Sequence, residues 1–321
     1  MLRTHKNIFF LAVIVAVVAV STIATFFFLR GNKIEYDASV PRGEESQQAL
    51  DPDIYHAPAA AYPRGLSLIF LADGYLSWNE FDRDTDTMLR ALKSTEPWSS
   101  YKRYNIYRIL PKETGLCSVE TANERKPVLR CAPGKINAYL GNLTTGPFKL
   151  VVLSRRDFQS WANVVRLTDS GIFMSVPRSP QGVADEGATG VLFLHLVGHA
   201  FGLKDEEIFP VAKAHSAVMR PDGPNCAPDK ETAKVWWGDL IGAEPAVGYF
   251  KGCSGNRDYI KPTEHSLMNL GNFSLDALTY GPVSEEYLSK VLRYCFAEKL
   301  PDISDDPNFF AQYQELAVCA Q

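Results

Sequence analysis

Two histidines four residues apart, His195 and His199, are the side chains whose spacing in this sequence best suits metal chemistry. They lie in the run GVLFLHLVGHAFGLKDEE, residues 190–207, which begins as an apolar helix. Residues four apart stand on one face of a helix, so both imidazoles can reach the same metal ion at about 2.0 to 2.1 Å. The spacing therefore predicts a metal site on this helix.

A glycine and an aspartate downstream make the pattern more specific. Gly202 follows His199 by three residues and Asp205 follows it by six, which gives HxxxHxxGxxD. A glycine here can adopt the left-handed conformation that ends a helix, so that the chain turns and returns Asp205 as a third ligand. The alternative is that both histidines are core residues with separate buried hydrogen-bond partners. We favour the metal site, because separate buried partners are costly in so apolar a helix.

Together with other blocks of the chain, this pattern resembles the IgA-peptidase-type zinc metallopeptidases, a metzincin-like group of zincins. The blocks occur in the order LIFLADGY, STEPW, YNIYRI, HLVGHAFGLKDE, PNC, WW, GYFKGC and YIKPTEHSLMN, and they extend over most of the chain after residue 65. The resemblance implies that zinc is the cofactor and that His195, His199 and Asp205 are its ligands. It also implies that Met268 lies in a turn beneath the metal. Tyr259 becomes a candidate for stabilising an oxyanion, with a packed loop aromatic as the alternative.

One position departs from the family pattern where catalysis is concerned. The zincins carry glutamate after the first histidine, whereas this chain has Leu196. In a zinc peptidase the metal polarises the scissile carbonyl and activates a water, and the glutamate carries the proton from that water to the leaving amine. Leucine exchanges no proton, and a general acid–base contributes typically about 10² to 10⁴ in rate. No residue is therefore secure in a catalytic role.

Three functional hypotheses follow from these residues. The first is a zinc-binding, metallopeptidase-like protein that binds a peptide or protein and hydrolyses it weakly or not at all. The second is an active metallopeptidase with a substitute carboxylate, for which the candidates are Asp185, Glu186, Glu206 and Glu207. The third is a metal-free module that binds peptides or proteins. The three ligands argue against the third hypothesis, and the missing glutamate favours the first over the second.

The surrounding elements indicate an α/β fold of the zincin-like type. Short apolar runs predict strands at residues 66–72, 104–110, 148–154 and 171–176, the last of them an edge strand beside a cleft. Ser77 and Glu80 have the spacing of a capping box and begin a helix that Pro97 ends. A final helix is predicted over residues 283–296, with Ser284 as its cap. We expect a mixed sheet with packed helices, one of which carries HxxxH.

The N-terminal segment predicts a single membrane-spanning helix. Residues 8–29 contain no charged or amide side chain, and at about 1.5 Å per residue they can cross a hydrocarbon core of about 30 Å. A cleavable signal peptide is the alternative, although its apolar region usually has about 7 to 15 residues. The predicted organisation is an anchor at residues 1–30, a flexible tether at 31–65, a metallopeptidase-like domain at 66–296 and a tail at 297–321.

The six cysteines all follow the predicted anchor and include no CxxC pair, which favours an oxidising compartment. We predict the pairs Cys117 with Cys131 and Cys226 with Cys253, although six cysteines allow fifteen connectivities and the sequence selects none. Six buried free thiols in a cytosolic protein are the alternative. The expected location is a single-pass membrane protein whose domain lies on the extracytoplasmic side.

The composition restricts the classes of partner that this chain is expected to bind. The 321 residues are 46% hydrophobic and 22% charged, a content too apolar for a disordered chain. The formal charge of -4 and the lack of a long basic run argue against nucleic acid as a partner. The expected partners are therefore a peptide or protein, and the membrane through the N-terminal helix.

Overall fold

The computed structural model describes residues 53–56, 62–111, 115–120, 128–140, 148–155, 163–166, 171–177, 186–207, 222–269 and 279–299. The chain divides into two units, Met1–Gln48 and Ala49–Gln321, and every described residue belongs to the second. The predicted anchor and nearly all of the predicted tail lie outside the described residues. Within the described residues, no helix combines the length and the hydrophobicity needed to span a membrane.

The described elements alternate between strands and helices. The strands are β1 Asp53–His56, β2 Leu66–Asp73, β3 Tyr104–Leu110, β4 Cys117–Glu120, β5 Val128–Cys131, β6 Phe148–Ser154, β7 Asn163–Arg166, β8 Gly171–Pro177, β9 Phe250–Cys253 and β10 Asn256–Lys261. The α-helices are α1 Trp78–Ser94, α2 Pro133–Leu140, α3 Glu186–Ala200, α4 Lys230–Trp237 and α5 Pro282–Cys295, and a 3₁₀ turn, Gly238–Leu240, follows α4. The predicted α/β class with helices and a mixed sheet is confirmed at this level.

The main sheet has the strand order β1-β3-β2-β6-β8-β7. Its four inner strands are parallel, while β1 and β7 pair antiparallel at the two edges. Every residue of β2 is buried, as expected for a parallel strand with helices or loops on both faces. The prediction that β8 is an edge strand is wrong, because β7 pairs along its outer side. The NVVR segment of β7 is too short to show strand alternation in sequence.

The strand β1 lies within the segment predicted as a tether. It pairs with β3, with Asp53 opposite Leu110 and His56 opposite Tyr107. Its four residues lie between two prolines, Pro52 and Pro58, and they are too few to establish a period-2 pattern. The sheet therefore begins upstream of the predicted domain start at Leu66.

Two hydrophobic layers enclose the sheet. On one face, Leu68 and Phe70 of β2 belong to a large cluster with α1, α3 and α5, and on the other face Ile69 and Leu71 pack with β4 and α2. This division follows from the alternation of side chains along a strand. At the α1–α3 contact an added Cβ on Gly190 would meet the Cβ of Ala91 at 2.9 Å. A small residue at position 190 therefore lets the site helix approach α1 closely.

The helix ends follow the sequence signals in one case and depart from them in another. The Oγ atom of Ser77 accepts the Glu80 backbone N–H at 3.4 Å, which confirms the predicted cap of α1. Helix α5 instead begins with Gly281 as its cap and Pro282 in its first turn, so the prediction of Ser284 as the cap is wrong. Proline suits that position because its fixed φ is helical and the missing N–H would have no partner there.

The two predicted disulfides are confirmed. Cys117 bonds to Cys131 across the β4–β5 pair, and Cys226 bonds to Cys253, the last residue of β9. Cys295 is also disulfide-bonded, and there is no free cysteine among the described residues. The oxidising compartment stays a prediction.

A buried carboxylate ties the β4–β5 hairpin to the main sheet. Asp73 ends β2 and is completely buried, and its carboxylate accepts hydrogen bonds from the Ser154 hydroxyl at 2.6 Å and the Cys117 N–H at 3.2 Å. Burying a carboxylate without such donors is unfavourable, so these hydrogen bonds stabilise the fold. They also fix the carboxyl ends of β2 and β6 relative to each other.

We predict that Ser154→Ala destabilises the protein by about 1 to 3 kcal/mol, because it removes a buried donor to a charged acceptor. Ser67→Ala is the matched control, since Ser67 is a buried serine of the adjacent strand that receives a longer contact, 3.5 Å, from Asn105. We expect a loss of less than about 1 kcal/mol for the control. Urea denaturation of both variants measures the difference, and equal losses would contradict the role assigned to the Asp73 carboxylate.

Candidate metal centre

Helix α3 presents its two histidines from an apolar setting. Phe193, Leu194 and Val197 are buried in the main cluster, so most of the helix surface is covered by protein. The Tyr280 hydroxyl donates to the Leu194 carbonyl at 2.5 Å and holds the helix from a distant part of the chain. His195 and His199 share the remaining face, with ring centroids 4.5 Å apart. This placement confirms the predicted juxtaposition of the two rings.

The turn after α3 brings the aspartate back to the histidines. Gly202 has φ +95°, the Gly202 N–H donates to the His199 carbonyl at 3.0 Å, and the Leu203 N–H donates to the Gly198 carbonyl at 3.0 Å. This pair of bonds is the Schellman motif, in which a residue with positive φ ends a helix. The glycine predicted to turn the chain therefore does so, and Asp205 follows three residues later.

Three potential ligand atoms meet at the end of this turn. The Nε2 atoms of His195 and His199 are 3.0 Å apart, and the Oδ1 atom of Asp205 lies 3.1 Å and 3.0 Å from them, respectively. Among the described residues, these three form the group of histidine, cysteine and acidic side chains that could hold a metal ion. The structure thus brings together the three residues that the sequence pattern selected.

Backbone carbonyls determine which nitrogen of each ring faces the site. His195 Nδ1 donates to the Leu267 carbonyl at 2.8 Å, and His199 Nδ1 donates to the Leu203 carbonyl at 2.9 Å. Because a carbonyl only accepts, each Nδ1 carries the hydrogen and each neutral ring directs the lone pair of Nε2 inward. Two lone pairs and a carboxylate oxygen at about 3 Å repel one another unless a proton or a metal ion lies between them.

The charges in the site favour such a cation. Burial opposes the charged form of His199, but the neighbouring Asp205 carboxylate outweighs it, and the pKa of His199 is raised. Burial likewise acts to raise the pKa of Asp205, yet the two histidines hold it well below its usual range. A proton and a metal ion compete for the same inward-facing atoms, so the environment that attracts one also attracts the other.

The spacing of the three atoms fits a small ion such as zinc. Ligand atoms of a tetrahedral zinc site at about 2.0 to 2.1 Å from the metal lie about 3.3 to 3.4 Å apart, so these side chains need to separate by only a few tenths of an ångström. The His195 side chain is 7% exposed, whereas those of His199 and Asp205 are 22% and 25% exposed. One side of the group therefore faces solvent, as a site with an open coordination position requires.

Leu196, at the position where the zincin pattern has glutamate, is a core residue. It is 3% exposed and belongs to the same cluster as Phe193 and Val197. Its side chain adds apolar area to the packing of α3, where a carboxylate would have to be desolvated. The residue therefore contributes packing energy at this position and has no group that can transfer a proton.

Met268 lies against the site helix at Gly198. Its side chain is completely buried, and an added Cβ on Gly198 would lie 2.5 Å from its Sδ atom. The Met268 carbonyl accepts the Glu206 N–H at 2.7 Å, which joins this turn to the segment that carries Asp205. The turn predicted for Met268 is thus adjacent to the histidine helix. Tyr259 lies in β10, half-buried, and is not among the three side chains that meet.

The other carboxylates considered as substitute bases differ in placement. Glu206 is buried, and its oxygens accept hydrogen bonds from Asn225 at 2.9 Å, Ser266 at 2.8 Å and Thr263 at 3.3 Å. Burial raises the pKa of Glu206 to about 7, although the bonds from Asn225 and Ser266 act in the opposite direction. Glu206 therefore has a structural network of its own beside the site.

The remaining candidates for a substitute base are Asp185, Glu186 and Glu207. Asp185 lies outside the described residues, and Glu186 is the first residue of α3, with a side chain that is not described. Glu207 is half-buried, and its backbone carbonyl accepts the Gly255 N–H at 3.1 Å. Their roles as substitute bases remain predictions.

Several contributors to the site were not found from the sequence. The Leu267 and Leu203 carbonyls orient the imidazoles, but backbone acceptors have no residue-type signature. Tyr280 and Asn225 reach the site from distant segments and form buried hydrogen bonds. The sequence signal for Asn225 was the PNC block, because a residue next to a disulfide cysteine is held in place.

Comparison with known proteins gives no assignment. The sequence matches no protein-family model and no curated protein.

We predict that Gly202→Ala lowers stability by about 1 to 2 kcal/mol, because a Cβ in the left-handed region is strained and would lie 3.1 Å from the Tyr287 hydroxyl. Gly134→Ala is the control, since a Cβ there meets nothing within 4 Å and the residue lies in α2. We expect the control to be neutral or to stabilise by up to about 1 kcal/mol. Chemical denaturation compares the two variants. A Gly202→Ala protein as stable as the Gly134→Ala protein would contradict the role of the turn.

Proposed function

We propose that this chain is a zinc-binding, metallopeptidase-like protein that binds peptide or protein segments and hydrolyses them weakly or not at all. The observation that carries the proposal is the meeting of two Nε2 atoms and one carboxylate oxygen within 3.0 to 3.1 Å. The second support is Leu196, which follows His195 in the sequence where the zincin pattern has its proton-transferring glutamate.

Zinc suits this donor set better than the hard divalent cations. Imidazole nitrogens together with a carboxylate are common zinc ligands, whereas magnesium and calcium prefer oxygen ligands throughout. Three protein ligands and an exposed side are the arrangement of zinc sites that accept an exogenous group. The metal is therefore proposed as zinc, bound by His195, His199 and Asp205.

The residues of the chain would support binding more than turnover. Zinc, when bound, supplies a Lewis acid that polarises a carbonyl group. Leu196 neither accepts nor returns a proton, and Glu206 is engaged by Asn225, Ser266 and Thr263. Without a positioned acid–base group, the rate is expected to be lower by about 10² to 10⁴ than that of a complete zinc peptidase. A peptide would therefore be held through its carbonyl and released intact.

The family relationship is part of the same proposal. The HxxxHxxGxxD pattern, the turn at Gly202 and the packing of Met268 beneath Gly198 support descent from the IgA-peptidase-type zinc metallopeptidases. The substitution at position 196 would then mark a diverged relative. The apolar residues 8–29 and the disulfides support a single-pass anchor with the domain on the extracytoplasmic side.

We predict one zinc ion per chain in the metal-loaded protein. Because a metal that binds only the folded state stabilises it, zinc at 100 times its dissociation constant is expected to add about 2.7 kcal/mol to the free energy of unfolding. His199→Ala should abolish this gain, whereas His265→Ala, which changes an exposed histidine outside the group, should retain it. Elemental analysis and thermal unfolding with and without a chelator measure both effects. Equal zinc content in the two variants would exclude the proposed site.

We predict that the zinc-loaded wild-type protein cleaves a peptide library no faster than the chelated protein does. Leu196→Glu restores a carboxylate beside His195 and is expected to raise the zinc-dependent rate, because a general base contributes about 10² to 10⁴. Leu196→Gln is the matched control, with a similar shape and no proton to exchange. Mass spectrometry of the digests counts the cleavages. Zinc-dependent cleavage by the wild type would refute the non-hydrolytic proposal and favour an active peptidase with a substitute carboxylate.

A further inference from the structure

The Asn225 side chain holds the segment that joins the site helix to Asp205. Its Oδ1 accepts the Lys204 N–H at 2.8 Å, and its Nδ2 donates to the Lys204 carbonyl at 2.8 Å and to Glu206 Oε1 at 2.9 Å. Asn225 is completely buried. The amide thus pairs with both backbone groups of Lys204, as an adjacent strand would, and its three bonds all reach residues 204 and 206.

These bonds act on the two peptide units that flank Lys204. The first unit consists of the Leu203 carbonyl and the Lys204 N–H, so the same rigid plane accepts from His199 Nδ1 and donates to Asn225 Oδ1. The second unit consists of the Lys204 carbonyl and the Asp205 N–H, and Asn225 Nδ2 fixes its carbonyl. One side chain therefore orients both the acceptor of His199 and the backbone from which the Asp205 ligand extends.

The hydrogen bonds also form a chain that ends at a ligand. Asn225 Oδ1 accepts from the peptide N–H, and the carbonyl of that peptide accepts from His199 Nδ1. Hydrogen bonds in series polarise one another, so an acceptor at Lys204 N–H makes the Leu203 carbonyl a stronger acceptor. A stronger acceptor at Nδ1 raises the basicity of the opposite ring nitrogen and fixes its direction.

The loop that carries Asn225 is itself held rigidly. Gly223 and Cys226 exchange backbone hydrogen bonds of 2.9 and 2.8 Å, and Ala227 exchanges bonds with Ile260 of β10. Cys226 is bonded to Cys253, and the next residue, Ser254, donates its N–H to the Asp205 carbonyl at 2.7 Å. The two sides of this disulfide thus reach adjacent residues, 204 and 205, and Asn225 has little freedom to move away.

We propose that Asn225 is a positioning residue for metal binding, which sets the affinity of the site through the Leu203 carbonyl and the backbone of Asp205. The inference rests on the proposed metal site and names a residue that acts on it without contacting the ion. Removal of a partner of this kind typically lowers metal affinity by about 10 to 100-fold. The affinity for zinc therefore depends on a side chain twenty residues beyond the last ligand in sequence.

The test compares zinc affinity in the full-length protein and three variants. Asn225→Ala removes all three hydrogen bonds, and we expect its zinc dissociation constant to rise by about 10 to 100-fold. Asn225→Asp keeps the shape and the acceptor for Lys204 N–H, but it places an oxygen where Nδ2 donates to the Lys204 carbonyl and to Glu206, so we expect a rise of the same order. Thr263→Val is the matched control, because Thr263 is buried and donates to Glu206 at 3.3 Å, and we expect an affinity within about twofold of the wild type.

Competition with a chromophoric chelator gives the dissociation constants. The visible spectrum of the cobalt(II) protein reports ligand geometry, and it should change in the Asn225 variants and remain unchanged in Thr263→Val. If Asn225→Ala does not fold, Asn225→Asp and the control carry the test.

The outcomes distinguish failure of the positioning role from failure of the metal site. If the Asn225 variants bind zinc with wild-type affinity and show an unchanged cobalt spectrum, the positioning role is overturned and the metal site stands. An equal loss of zinc affinity in Thr263→Val overturns the positioning role in the same way. A wild-type protein that binds neither zinc nor cobalt overturns the metal site and this inference together.

Discussion

The site depends on the hydrogen bonds that backbone carbonyls accept from the two histidines. Because Leu267 and Leu203 take the Nδ1 hydrogens, the inward-facing nitrogens have lone pairs directed at each other and at Asp205. Electron-rich atoms held this close together repel one another and destabilise the protein unless they share a cation. Two turns complete this arrangement. The Schellman turn at Gly202 brings Asp205 back to the histidines, and the turn that contains Met268 places the Leu267 carbonyl against His195.

The sheet and the site are connected through helix α3. Its apolar surface packs against the same layer as β2 and α1, so the positions of the histidines are fixed by the main hydrophobic core. Leu196 adds to that surface beside a ligand. A polar residue there would have to be desolvated within the cluster, whereas leucine stabilises the helix that presents the two histidines. A carboxylate and a buried apolar side chain place opposite demands on this position, and leucine meets the second.

The parts of the site that sequence could predict are those set by local periodicity. Helical spacing placed His195 and His199 on one face, and the conformational freedom of glycine at 202 predicted the return of Asp205. All four predicted strands lie within one residue of their predicted bounds, and all four are inner strands of the main sheet, rich in apolar residues. The short edge strands β1 and β7 were missed because four residues cannot establish a period. Asn225 and the Leu267 carbonyl were missed because tertiary hydrogen bonds between distant segments leave no regular spacing.

The closeness of the ligands along the chain has a consequence for assembly. His195, His199 and Asp205 lie within residues 195–205, whereas the Leu267 carbonyl that orients His195 is 72 positions away. Closing so short a loop loses little chain entropy, so the three donors can gather before long-range contacts form. The direction of His195 is then set only when residue 267 arrives, so tight capture of an ion is confined to the folded chain.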